Sequence, residues 1–153
     1  MPRIAPLLAL FLTIAVAPQA QGQLTVRPLR NLGFGPVIQG IPKHILPSDA
    51  INSGEFDFTA TLGNRVMIAF TLPTRLNGPA AATMPISFNT TDAIALGTGP
   101  TSVPVTFNPN VTPSFTLVSS NHILVFIGGT VSPTAGQRTG AYTGTITLTI
   151  TIF

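Results

Sequence analysis

The last nine residues constrain the fold more than any other stretch of the chain. Thr145 to Phe153 reads Thr-Ile-Thr-Leu-Thr-Ile-Thr-Ile-Phe. In an extended backbone, successive side chains point to opposite faces. Ile146, Leu148, Ile150 and Ile152 therefore share one face, and Thr145, Thr147, Thr149 and Thr151 share the other. The β-branched residues on both faces favour that extended backbone. Leaving the aliphatic row wet costs roughly 1.5–3 kcal/mol per side chain. One ribbon cannot cover its own apolar face, so the sequence demands a second layer, either two packed sheets or a closed barrel.

The remaining chain speaks the same language. No window past residue 22 sustains a helical apolar period, whereas period-two alternation recurs. Phe56, Phe58, Ala60 and Leu62 alternate with Asp57, Thr59 and Thr61, and Val66, Ile68, Phe70 and Leu72 follow in the same manner. Gly63-Asn64 separates the two runs, which predicts an antiparallel hairpin ended by Pro73. Shorter strands are expected over Met84–Asn89, Val103–Phe107 and Phe115–Val118. The unbroken apolar run Ile123–Ile127 predicts a strand buried on both faces, broken or bulged at Gly128-Gly129. Asn77–Thr83 and Gly97–Thr101 read as surface loops. About seven to nine short strands in one domain of residues 23–153 predict an all-β, antiparallel sandwich of immunoglobulin-like size.

The N-terminus has a different character. Arg3 precedes an apolar run from Ile4 to Ala17, and Ala20-Gln21-Gly22 places small residues where a signal peptidase reads them. Residues 1–22 therefore read as a secretory signal, with cleavage before Gln23. The run is about 14 residues long against the roughly 20 of a spanning helix, so no transmembrane anchor is expected in the mature chain. The expected location is exported: periplasm, cell surface or extracellular. A chain with no Cys also suits a bacterial envelope.

Charge and cysteine content exclude several functions. Only 7% of the 153 residues are charged, and the formal net charge is +3. The basic residues are scattered apart from Arg27 and Arg30, so there is no stripe to replace counterions along phosphates, and nucleic acid is not an expected partner. Without Cys there is no thiol nucleophile, thiolate metal site or disulfide framework.

Candidate chemistry is sparse. His44, in Pro42-Lys43-His44, reads as exposed, and His122 as a turn residue before a buried strand. No Ser sits in a Gly-x-Ser-x-Gly turn. Glu55 and Asp57 point the same way from one strand, as a glycosidase carboxylate pair would. The plainer reading makes them a solvated face opposite Phe56 and Phe58. Asp49, Asn52, Glu55 and Asp57 form the one oxygen-rich cluster, but Asn52 stands three residues after Asp49, which fails the alternate spacing of a calcium loop. Gly33-Phe34-Gly35 lacks the third glycine of a dinucleotide fingerprint, since position 38 is Ile. These readings assign no catalytic, cofactor or metal residue, and no enzymatic activity is expected.

Two segments carry a family resemblance. Leu32-Gly33-Phe34-Gly35 resembles an opening Leu-x-Phe-Gly strand. Residues 125–153, from Val-Phe-Ile-Gly-Gly-Thr-Val through Gly-Ala-Tyr-Thr-Gly-Thr-Ile-Thr-Leu-Thr-Ile-Thr-Ile-Phe, are similar to the ending of a bacterial exported family. That family is known as domain of unknown function number forty-four-zero-two, and is itself similar to spore coat protein U and chaperone–usher pilin domains. The resemblance implies a pilin-like, immunoglobulin-like sandwich that assembles outside the cell by adding a strand to a sheet edge. Gly140 stands where pilins place a glycine near the C-terminus. The penultimate residue is Ile152 where pilins have an aromatic, and the usual cysteine pair is absent.

The sequence thus predicts an exported structural or adhesive cell-surface subunit of fimbrial type. Its partner would be a second copy or a periplasmic chaperone, met at a sheet edge near Ile146, Leu148, Ile150 and Ile152. Two alternatives stand beside it. An outer-membrane-associated barrel would account for a terminal Phe, although Phe153 falls on the threonine face. A secreted ligand-binding module, for instance for glycans, would use the loops 39–53 and 89–102.

Overall fold

A computed structural model describes residues 24–116 and 121–153 of the chain. The signal segment expected over 1–22 lies outside the described residues, as does the end of the strand expected over Phe115–Val118. Twelve strands are formed: β1 (Thr25–Arg30), β2 (Lys43–Ile45), β3 (Gly54–Thr59), β4 (Arg65–Thr71), β5 (Arg75–Asn77), β6 (Thr83–Ser87), β7 (Ala93–Gly97), β8 (Val105–Phe107), β9 (Ser114–Thr116), β10 (His122–Ile127), β11 (Gly129–Val131) and β12 (Thr147–Ile152). A 3-10 turn at Pro79–Ala81 occupies the expected surface loop.

Every pairing is antiparallel. The sheets run β1-β3-β10-β7-β8, β2-β11-β6-β5 and β12-β4-β9. The second and third share chain: β4 continues past Pro73 into β5, and the segment entering β12 bridges Thr143 to Asn77 of β5. Together they form the layer facing the five-stranded sheet, so the all-β antiparallel sandwich demanded by the C-terminal strand is formed. The strand count exceeds seven to nine because β1, β2, β5 and β7 form in stretches that the alternation does not mark, and because one run is cut at a glycine. Gly128 divides β10 from β11 where the chain passes from one sheet to another. A Cβ there would overlap the Ile45 carbonyl oxygen, so only glycine fits.

The core fills the space between layers. Phe58, Val66, Ile68, Val125 and Ile150 are buried in one cluster, with Leu148 and Ile152 packed against it. Phe70 lies 6.1 Å from Phe56 and 6.3 Å from Phe107, and Phe107 lies 5.6 Å from Phe115, centroid to centroid. These contacts tie β3 and β8 of one layer to β4 and β9 of the other. A second cluster gathers Leu76, Met84, Ile86 and Val131. The apolar face of β12 therefore points inward to protein, and among the described strands none closes a sheet on itself, as in a sandwich.

Two local expectations are corrected. β3 and β4 both exist, but they do not form a hairpin: β3 pairs with β1 and β10, and β4 with β12 and β9. Residues 60–64 instead carry the chain across from one layer to the other. Asn64 N–H closes a turn on Thr61 C=O (3.3 Å), and Gly63 takes φ +86°, which glycine adopts without strain. The crossing lets the apolar faces of both runs meet across the core, where Phe58 shares one buried cluster with Val66 and Ile68. β10, expected to be buried on both faces, is fully buried only at Ile123, Val125 and Ile127; His122, Leu124 and Phe126 are half-buried.

Candidate functional site

The C-terminal strand occupies the end of its sheet. β12 pairs with β4 in register from Thr147 opposite Thr71 to Ile152 opposite Val66. One step further, Arg65 and Phe153 exchange both backbone hydrogen bonds, at 3.3 and 3.0 Å. Such bonded pairs alternate along an antiparallel ladder. Thr147, Thr149 and Thr151 therefore turn their backbone groups to β4, while those of Leu148, Ile150 and Ile152 turn to the opposite side. The phase on β4 agrees, since Ile68 N–H points away from β12 to Pro113 C=O at 3.1 Å. No described strand pairs with the outer side of β12.

Of the four aliphatic residues expected at a contact edge, Ile150 is buried and Leu148 and Ile152 are half-buried against the core. Ile146 precedes the strand. It lines a cleft of about 520 Å³ shared with Phe34, Phe56, Leu76, Met84 and Tyr142. The side chains thus belong to the fold, and what the edge offers is backbone: N–H and C=O groups flanked by exposed threonines.

Other sheet ends differ. β2, β5, β8 and β9 are only three residues long. β1 is as long as β12, but its pairing with β3 shifts register between Pro28 and Arg30, and it carries Arg27 and Arg30. Short length, proline, bulges and charge are the devices that keep an edge from recruiting another strand. Among the described edge strands, β12 alone has six residues and none of these devices.

The carboxylates and histidines form a separate set of contacts. Glu55 and Asp57 were expected on a solvated face, but Asp57 is only 4% exposed. Its outward position is roofed by neighbouring strands: Arg27 Nη2 donates to Asp57 Oδ2 at 3.1 Å from directly across β1, and His122 Nε2 meets Oδ1 from β10. Arg30 Nη1 lies 3.0 Å from Glu55 Oε2, and its Nε donates to Ser53 C=O at 2.7 Å. His44 is exposed, as expected, on strand β2, and its Nε2 lies 2.9 Å from Oδ1 of the buried Asp92. The other Asp92 oxygen accepts the Asn89 N–H at 2.7 Å.

The oxygen-rich cluster is dispersed. Asp49 accepts the Asn52 side-chain amide on Oδ2 and the N–H groups of Asn52 and Ile51 on Oδ1, each at 2.9 Å. The Asn52 bonds, with Ile51, hold its carboxyl below the ordinary range, because each donor favours the charged form. Asp49 closes a turn while Glu55 and Asp57 serve the β1–β3 pairing. Among the described residues no three His, Asp or Glu converge as metal ligands, and no described helix is long and apolar enough to cross a membrane.

Fold and site together define an all-β antiparallel sandwich in which, among the described strands, one long edge is unguarded. Comparison with protein-family models, characterised proteins and solved structures returns no match.

Proposed function

We propose that this protein is an exported structural or adhesive subunit of a cell surface, and that it associates by strand addition along the outer side of β12. The observation that carries this reading is the open six-residue edge itself. Main-chain hydrogen bonding at such an edge supplies affinity without dedicated side-chain chemistry. The signal-like pattern of residues 1–22 and the low charge support the same reading. The partner is a further copy of the chain or a periplasmic chaperone that guards the edge before assembly.

Two measurements test it. Protein recovered from the envelope of the producing cell should have an intact mass lacking residues 1–22. The recovered protein should be oligomeric by light scattering, whereas Thr149→Lys, which places a charge beside the open edge, should be monomeric. A full-length intracellular chain, or oligomers indifferent to Thr149→Lys, would refute the reading.

A further inference from the structure

We infer that the occupant of the β12 edge is the β12 edge of a second copy, paired antiparallel about a two-fold axis through Thr149. This inference rests on the edge reading above and adds a partner and a register to it.

Three observations converge on Thr149. Residues 146–152 have nearly the same pattern in both directions: Ile146 matches Ile152, Thr147 matches Thr151, and Leu148 matches Ile150. The hydrogen-bonding phase agrees. Leu148, Ile150 and Ile152 present their backbone groups outward, and an axis at Thr149 sets Leu148 against the partner's Ile150 and Ile152 against the partner's Ile146. Outward groups then meet outward groups, and each such pair exchanges both bonds. An axis at Ile150 keeps the phase but sets Thr147 against the partner's Phe153 and leaves Ile146 without a counterpart, so only the axis at Thr149 pairs residues 146–152 like with like.

Side chains fit the same axis. Threonine meets threonine on the outer face, and aliphatic meets aliphatic on the core face. No ionisable residue lies between 146 and 152, so no like charges oppose each other. Leu148 and Ile152 are only half-buried in one copy. The partner's Ile150 and Ile146 would stand beside them and extend the apolar layer. The product is an isologous, closed dimer with one sheet running β9-β4-β12 into the partner's β12-β4-β9. A two-fold contact of this kind consumes both edges and adds no third copy.

The absence of cysteine makes the test clean. Thr149 and the partner's Thr149 form a non-hydrogen-bonded pair, with Cα atoms about 4.5 Å apart, within disulfide range. The full chain carrying Thr149→Cys should link to itself under mild oxidation. Thr147→Cys should not, because the two copies of residue 147 stand four positions apart, roughly 13 Å. Mixing Thr147→Cys with Thr151→Cys should restore the link as a heterodimer. Linked dimer should favour Thr149→Cys over Thr147→Cys alone by at least about tenfold.

Self-linking of Thr147→Cys in preference to Thr149→Cys would overturn the register and leave the edge reading standing. A chain that stays monomeric into the millimolar range would overturn the second copy as occupant. The edge reading would fall with it only if a peptide of residues 145–153 also failed to bind the chain.

Discussion

β1 and β12 are both six-residue strands at the end of a sheet, yet their designs are opposite. β1 reads Thr-Val-Arg-Pro-Leu-Arg, is exposed along almost its whole length, and contains a register shift. It is held by two cross-strand ion pairs, Arg27–Asp57 and Arg30–Glu55. β12 reads Thr-Leu-Thr-Ile-Thr-Ile, and is held by aliphatic side chains sunk into the core. The lesson is that anchorage and protection are coupled. The charges and the proline that attach and shape β1 also blunt its outer side, whereas an apolar anchor leaves the outer side of β12 bare.

The largest test of this contrast concerns anchorage. Ile150→Ala should destabilise the chain by about 2–5 kcal/mol in urea unfolding, since it deletes packed aliphatic atoms and leaves a cavity. Leu29→Ala in β1, where Leu29 is 53% exposed, should cost no more than about 0.5 kcal/mol. Comparable losses would mean that the two strands are anchored alike.

Next in size is the ion-pair anchorage of β1. Asp57→Ala removes a buried carboxylate that serves both Arg27 and His122, and should cost about 1–3 kcal/mol. Arg27→Ala should cost at most about 1 kcal/mol, because its side chain is 66% exposed and the pair is screened from that side. Equal costs would show that the Arg27 pair carries the whole contribution of Asp57 and that His122 adds nothing.

How far these features were legible in the sequence depends on what each one requires. The alternation of Thr145–Phe153 dictates a strand and a covered face, because both follow from local geometry and side-chain type. The need for a second layer follows from the same residues. Strand partners are not local. The runs around Phe56–Phe58 and Val66–Phe70 show which face is apolar, but not whether the two faces lie side by side or across a core, and they lie across it. β1 was hidden by Pro28, which rules out an interior strand but not an edge, where a missing N–H goes unused. The burial of Asp57 was illegible for a similar reason: its roof comes from Arg27 and His122, far away in the chain. Ile146, Leu148, Ile150 and Ile152 were readable as an apolar row. That the backbone beside them is open depends on which strands end each sheet.

Protection is tested by moving a guard onto the bare edge. Thr149→Lys should weaken self-association by about tenfold or more, equivalent to about 1.4 kcal/mol, as read by sedimentation across a concentration series. Val26→Lys, the same charge added to the edge strand that already carries two arginines, should leave association unchanged. If both substitutions weakened it equally, general repulsion between copies would explain the loss, and the distinction between the edges would vanish.

The smallest effect is expected from taking a guard away. Pro28→Val gives β1 an additional backbone N–H, and in a background that already carries Thr149→Lys it leaves β1 as the edge under test. Arg27, Arg30 and the register shift remain, so the gain in self-association should be slight, on the order of twofold. Folding stability should fall by about 0.4–1 kcal/mol, because the unfolded chain regains freedom that proline denied it. A gain as large as the loss caused by Thr149→Lys would show that proline alone holds the β1 edge closed. No gain at all would assign the protection to the two arginines and the bulge, the same features that fasten β1 to β3.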